Sequence, residues 1–206
     1  MTSSAFVVLL PVKPPARGKS RLTDDPVRRR RLAAAFALDT ARACLAAHHV
    51  VAVLAVTDDA RFAADLRAAG CETIPDGVAD DLNETLRQAA AEARRRRPDA
   101  APVAVCADLP ALAAADLDAA LEAAAATSGP AFVTDAVGVG TTLYTAPYDA
   151  FSPSFGTGSR AAHVAAGAVE IEGSLPTLRQ DVDDIPALAA ADGLGVGAHT
   201  RLAMRA

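Results

Sequence analysis

An open, mostly parallel α/β sheet covered by helices on both faces is the architecture this sequence predicts, and three observations predict it. Short apolar runs alternate with longer amphipathic stretches, strand then helix, four times in succession. The runs lack the polar alternation of a half-solvated strand, so they fit strands buried on both faces. Finally, 51% of the 206 residues are apolar but only six are Phe, two Tyr and none Trp. Val, Leu and the small methyls of alanine-rich helices must therefore fill the core, which suits helices packed closely on a sheet. The length fits a single domain spanning 1–206.

The elements follow in order. Ala5–Leu10 (AFVVLL) is the first buried strand, ended by Pro11. A long loop rich in Pro, Gly, Lys and Arg continues to Asp25. Pro26 occupies the favoured first turn of a helix that runs to Ala47, with Leu32, Phe36, Thr40 and Cys44 on one face. Val50–Val56 is a second buried strand, and Thr57, Asp58 and Asp59 offer caps to a helix over Ala60–Ala69 that Gly70 stops. Cys71–Ile74 is a brief third strand. Asp80 to Asn83 open a helix continuing to Arg97, before Pro98. Val103–Cys106 is the fourth strand, followed by Asp108, Leu109, Pro110 and a helix over Ala114–Ala126.

After Gly129 and Pro130 the regularity falls away. Strands at Ala131–Thr134 and Thr141–Tyr144 flank a turn at Gly138–Gly140, and a helix opened by Phe155–Ser159 reaches Ala166. Val169–Ile171 is a strand, and a final short helix lies near Pro186–Ala191. The C-terminal third thus elaborates the sheet and is no separate domain, with disorder expected only in the last few residues.

A formal charge of −5 and an aromatic content of 4% argue against nucleic acid as a partner. Asp39 and Arg42 interrupt the longest apolar stretch, so no membrane span is expected. Cys44, Cys71 and Cys106 lie far apart in apolar segments, which reads as buried thiols in a reducing, cytoplasmic setting. Small-molecule chemistry is the remaining class.

Ligands of such sheets bind at the carboxyl ends of the strands. Asp108 sits just beyond one of those ends, where it either caps the next helix or faces the crevice. Asp181 and Asp183 alternate on an extended segment and so point to one side, leaving Asp184 to cap the last helix. Three carboxylates with phosphate and water oxygens make a Mg²⁺ site. Only two of twenty basic residues are lysine, and both, Lys13 and Lys19, fall with Arg17 and Arg21 in the loop after the first strand. A basic loop facing an acidic metal site is what a nucleoside triphosphate needs, although neither a Walker A nor a dinucleotide glycine motif is present. Gly156, Gly158 and Ser159 open a helix, a place for a carboxylate or phosphate, and Gly138–Thr141 supplies a second turn with backbone N–H groups. His163, four residues after Ser159, is either part of that pocket or a satisfied structural histidine.

The sequence resembles the guanylyltransferases of coenzyme F-420 biosynthesis. The resemblance rests on Val12, Lys13, Pro14, Arg17 and Lys19 to Leu22 after the first strand, then Leu82 and Asn83, Asp108 to Pro110, Gly138, Gly140 and Thr141, Phe155, Gly156, Ser159 and His163, and Asp181 with Asp183. Related sugar-1-phosphate and molybdopterin enzymes share the fold but usually have a glycine-rich loop where Pro14 and Pro15 stand. The resemblance implies a Rossmann-like, GT-A-like nucleotidyltransferase fold of three layers. It implies that GTP and phosphoenolpyruvate are the substrates and enolpyruvyl-diphospho-guanosine and pyrophosphate the products. Acceptance of 2-phospho-L-lactate, or a non-catalytic GTP-binding subunit, are the alternatives. By the same resemblance Asp108, Asp181 and Asp183 hold Mg²⁺, Thr141, Gly156 and Ser159 hold the phosphoenolpyruvate carboxylate, and Lys13, Arg17, Lys19 and Asn83 lie on the nucleotide side. Asp108, Lys19 and Lys13 then carry the catalysis. Asp80 and Asp81 stand where relatives often have glycine. A homodimer is compatible with the family, and the product would pass to a downstream deazaflavin-modifying transferase.

Overall fold

In the first apolar run alternate residues go to opposite sides: Phe6, Val8 and Leu10 enter one apolar layer, Val7 and Leu9 the other. A strand covered on both faces requires this division. The structure, a computed structural model, describes residues 5–12, 22–78 and 81–205. Its strands are β1 (Phe6–Pro11), β2 (Val50–Val56), β3 (Glu72–Ile74), β4 (Ala101–Val105), β5 (Ala131–Thr134), β6 (Thr141–Thr145) and β7 (Val169–Glu170). They form one sheet in the order β3-β2-β1-β4-β6-β5-β7.

Among these strands only β6 runs against its neighbours, pairing antiparallel with both β4 and β5. Its direction has a functional consequence. β6 enters the sheet at the edge where β4 leaves it, Leu143 opposite Val105, so Thr141 at its head lies beside the residues that follow β4. The Cys106 amide donates to the Thr142 carbonyl at 2.9 Å and locks that neighbourhood.

The helices are α1 (Pro26–Ala46), α2 (Ala60–Ala68), α3 (Leu82–Arg96), α4 (Ala114–Thr127), α5 (Ser159–Ala165), α6 (Pro176–Arg179), α7 (Ile185–Leu194) and α8 (Ala198–Arg205). Residues of α1, α2 and α4 share one apolar layer, while Leu86, Ala89, Ala90 and Ala93 of α3 belong to the other. Asp25, Asp59 and Asp81 accept N–H bonds at the starts of α1, α2 and α3, fixing where each begins. The one-turn α6 and a 3-10 turn at Tyr148–Ala150 are too short for a 3.6-residue period to register.

Two expectations are corrected. The last residues are not disordered: 198–205 form α8, held by a carboxylate buried in α1. Asp39 accepts the amides of His199 and Thr200 at 3.2 and 2.7 Å and pairs with His199 Nδ1 at 2.8 Å. Cys106 is half-buried, whereas burial pushes the Cys71 thiol up to about 11 and Cys44 upward as well. Among the described residues, no helix is long and apolar enough to cross a membrane.

Candidate active site

Asp108 follows β4, and two contacts fix the loop that carries it. Thr40, the polar residue on the buried stripe of α1, accepts the Leu109 amide on its Oγ1 at 3.1 Å and donates to the Phe36 carbonyl at 2.9 Å. The Asp108 carbonyl in turn accepts the Val182 amide at 3.0 Å, which lays segment 181–183 along the same loop. Val182 is fully buried among Leu22, Leu32 and Phe36, so Asp181 and Asp183 project the opposite way. One carboxylate oxygen from each of Asp108, Asp181 and Asp183 lies within 4.8 Å of the others. Asp108 and Asp181 are half-buried and Asp183 is exposed. Three hard oxygen donors this close fit one small divalent cation that keeps coordination positions open toward solvent or substrate. Asp184 turns away and caps α7 through the Ala187 amide at 2.9 Å.

The lysines and arginines expected to face this corner, Lys13, Arg17, Lys19 and Arg21, lie outside the described residues, as does Asp80. Both ends of their loop are described. Val12 donates to the Val56 carbonyl at 2.8 Å at the carboxyl edge of the sheet. Leu22 is buried in the same cluster as Val182. The described residues on either side of the loop thus lie beside β2 and against the segment bearing two of the three aspartates.

A second corner forms around the head of β6. Thr141 and Ser159 are both buried. Gly156, with φ +136°, holds a backbone conformation that side chains disfavour. Between them His163 is fully buried, stacked on Tyr144 with centroids 4.7 Å apart and edge-on to Phe155 at 5.7 Å. Its Nε2 accepts the Ser154 amide at 2.9 Å, and its Nδ1 lies 3.0 Å from Thr141 Oγ1. A neutral ring that accepts at Nε2 carries its proton at Nδ1, so His163 donates to Thr141. Burial holds its pKa down to about 4, a contact with the Ser159 backbone opposing the shift. Of the two readings open for His163, the structure selects the satisfied buried histidine.

One placement differs from expectation. The N–H groups of the glycine turn are not available to a ligand: Asp135 takes those of Gly138, Val139 and Gly140 at 2.7 to 2.9 Å. Gly140 is required there because a Cβ would collide with that carboxylate. Asn83, placed on the nucleotide side by resemblance, binds the loop that precedes α5. Its Oδ1 accepts the Phe155 amide at 2.7 Å and its Nδ2 donates to the Phe155 carbonyl at 3.0 Å. Sequence reasoning missed Thr40 and Asp135 as organising residues. For Asp135 a signal existed, an aspartate three to five residues before two glycines, the spacing of a side chain that closes its own turn. For Thr40 the only signal was a hydroxyl on an otherwise apolar stripe.

Comparison with known proteins gives three findings. A family model described as "Guanylyl transferase CofC like" matches residues 6–170. The phosphoenolpyruvate guanylyltransferase of Thermomonospora curvata is 50% identical over 198 residues, covering 94% of this chain and 86% of that protein. Among solved structures, a 4-diphosphocytidyl-2C-methyl-D-erythritol synthase superposes with a TM-score of 0.64 at 11% identity, covering 93% of this chain and 99% of the other. A Mycobacterium tuberculosis protein solved with manganese superposes at 0.54 with 19% identity, covering 92% and 98%. The two structural likenesses establish the nucleotidyltransferase fold.

Proposed function

The chain belongs to the CofC-like guanylyl transferase family, and from that premise we propose that it moves GMP from GTP onto phosphoenolpyruvate, giving enolpyruvyl-diphospho-guanosine and pyrophosphate. The observation that carries this reading is the convergence of Asp108, Asp181 and Asp183 beyond the carboxyl end of β4, with Leu22, the first described residue after the basic loop, buried in the same cluster as Val182. The name carried by a relative at 50% identity supports the choice of acceptor.

The chemistry asks for little acid or base. A phosphate monoester has a second pKa of about 6, so the acceptor oxygen is already ionised at neutral pH. That oxygen bonds to the α-phosphorus of GTP as the bond from this phosphorus to the bridging oxygen breaks, and pyrophosphate leaves with the electron pair. The obstacle is to bring two polyanions together in line. Asp108, Asp181 and Asp183 would hold Mg²⁺, which when bound offsets that repulsion and polarises the transferred phosphoryl group. Lys13, Arg17 and Lys19 engage the triphosphate, and Lys13 and Lys19 share the catalytic role with Asp108. Thr141, Gly156 and Ser159 receive the acceptor carboxylate. Asn83 serves as a strut between α3 and the acceptor loop. The reading places the reaction in cytoplasmic coenzyme F-420 biosynthesis, its product consumed by a deazaflavin-modifying transferase.

The test is pyrophosphate release from each nucleoside triphosphate against a panel of three-carbon phosphates. Release with GTP and phosphoenolpyruvate at the highest kcat/KM is the expected result. Equal or better turnover of 2-phospho-L-lactate would overturn the acceptor, and no release with any pair would overturn the activity.

A further inference from the structure

The aspartates can be checked by their charge, but the buried side chains of the acceptor corner, Thr141, Ser159 and His163, act through hydrogen bonds and packing. His163 touches two parts of that corner at once. Through Nδ1–H it fixes the lone pair that Thr141 Oγ1 presents to it, which sends the hydroxyl hydrogen of Thr141 elsewhere. Through Nε2 it holds the Ser154 amide, two residues before Gly156. The next amide, that of Phe155, is held by Asn83. The ring itself cannot slip, being stacked on Tyr144 and bounded by Phe132 at 5.4 Å and by Phe155. It has no exposed surface and so does not touch a substrate itself.

We infer that His163 is a positioning residue for the acceptor site: as the Nδ1–H tautomer it aims the Thr141 hydroxyl as a donor toward the acceptor's carboxylate and sets the height of the loop leading to Gly156. The inference rests on the reading above that Thr141, Gly156 and Ser159 receive that carboxylate. A serine or threonine hydroxyl is both donor and acceptor, and without a fixed partner its hydrogen has three staggered choices. A partner that only donates leaves the threonine to donate outward, which is the polarity an anion needs. A lysine or arginine could bind the carboxylate more strongly, but it would bind both polyanionic substrates indiscriminately. An oriented neutral donor favours a small carboxylate at one place.

Three side chains separate the two halves of the role. His163→Asn keeps an N–H near the Nδ1 position and loses the acceptor for Ser154. His163→Gln keeps an acceptor near the Nε2 position and loses the donor to Thr141. His163→Phe fills the space and loses both. Since one hydrogen bond is worth on the order of 1 kcal/mol, KM for phosphoenolpyruvate should rise roughly five- to tenfold in His163→Gln and further in His163→Phe, with KM for GTP within about twofold of normal. Adding Thr141→Val should cost less in the His163→Gln background than in the parent, because the hydroxyl is already misdirected. Equal costs in both backgrounds, or equal rises in the two KM values, would overturn the inference.

A second readout does not depend on turnover. Long-range proton–nitrogen NMR resolves the tautomer of each of the four histidines. The expected result for the buried ring is a proton on Nδ1, with its nitrogen shift moved by Thr141→Val. A proton on Nε2, or no response to Thr141→Val, overturns the inference even if the enzyme's acceptor proves to be another three-carbon phosphate. Should the wild-type protein release no pyrophosphate while the NMR result holds, the functional reading fails and the dyad stands.

Discussion

The two corners of the site, at the ends of two neighbouring strands on one sheet edge, are built by opposite means. At the end of β4 three carboxylates converge, one of them exposed, and their proximity is set by a single backbone bond from Val182 to Asp108 and by strand alternation. At the head of β6 the fully enclosed polar groups are neutral: Thr141, Ser159 and His163. The first corner tolerates mutual repulsion because a cation and solvent can relieve it. The second could not bury a charge without a partner, so it acts by direction and not by field. The difference teaches where each kind of damage should appear, in turnover at the charged corner and in acceptor affinity at the neutral one.

The sharpest break in the comparison is Asp108→Asn. A neutral amide in place of a charged ligand should lower pyrophosphate release by at least about a hundredfold, since even residues that only support a metal ligand cost ten- to a hundredfold. Thermal unfolding should stay near the parent value. Near-normal release would remove Asp108 from the metal corner.

Next in size is an effect of acid on the neutral corner. The unfolded chain takes up a proton at an ordinary histidine pKa of 6.5, whereas folded His163 resists it down to about 4. Stability from burying the neutral ring is therefore complete above pH 6.5 and is lost as pH falls through this window toward 4, up to about 3 kcal/mol in all. The groups packed on the ring, Tyr144, Phe132, Phe155 and the Thr141 hydroxyl, carry no charge at neutral pH to offset this. Urea midpoints at pH 7 and pH 4.5 should converge for His163→Gln relative to the parent. Parallel acid losses in the two proteins would show that another group carries the effect.

Gly156→Ala forces a side chain into φ +136° and should cost about 1–3 kcal/mol of local strain. The expected signature is a raised KM for phosphoenolpyruvate with that for GTP little changed. If the nucleotide KM moves instead, the glycine belongs to the other corner.

Smallest is Asn83→Ala, which removes both bonds to Phe155 and should raise acceptor KM by roughly three- to tenfold, as one or two net hydrogen bonds allow. Asn83 sharpens the comparison because it starts α3 on one side and ends on the loop of the other. A change confined to the GTP KM would return it to the nucleotide side, where the resemblance put it.

How much of this was legible in the sequence depends on the distance over which each feature is decided. The strands Val50–Val56 and Ala131–Thr134 have the bounds their apolar runs predict, and Asp59 and Asp184 cap the helices that follow them. Alternation on 181–183 also brings Asp181 and Asp183 to the same side as expected, because Val182 needs the core. These are decisions made within a few residues. The direction of β6 was not legible, nor was the bond from Asn83 to Phe155, 72 residues away. Polar side chains that bind a distant backbone leave no periodic trace, and the same composition serves equally for a solvated loop. Thr40 shows the limit most plainly, since its hydroxyl sits where the pattern asks only for bulk.

Two neighbours on one turn of α1 have different clients. Thr40 holds the Asp108 loop, and Asp39 holds the start of α8, 160 residues further along. During synthesis α1 emerges early, but its buried carboxylate waits for residues 199 and 200 before it is satisfied. The helix that supports the Asp108 loop is thus completed only by residues near the far end of the described chain, so a truncation before residue 199 should unsettle α1 while leaving all three aspartates in the sequence.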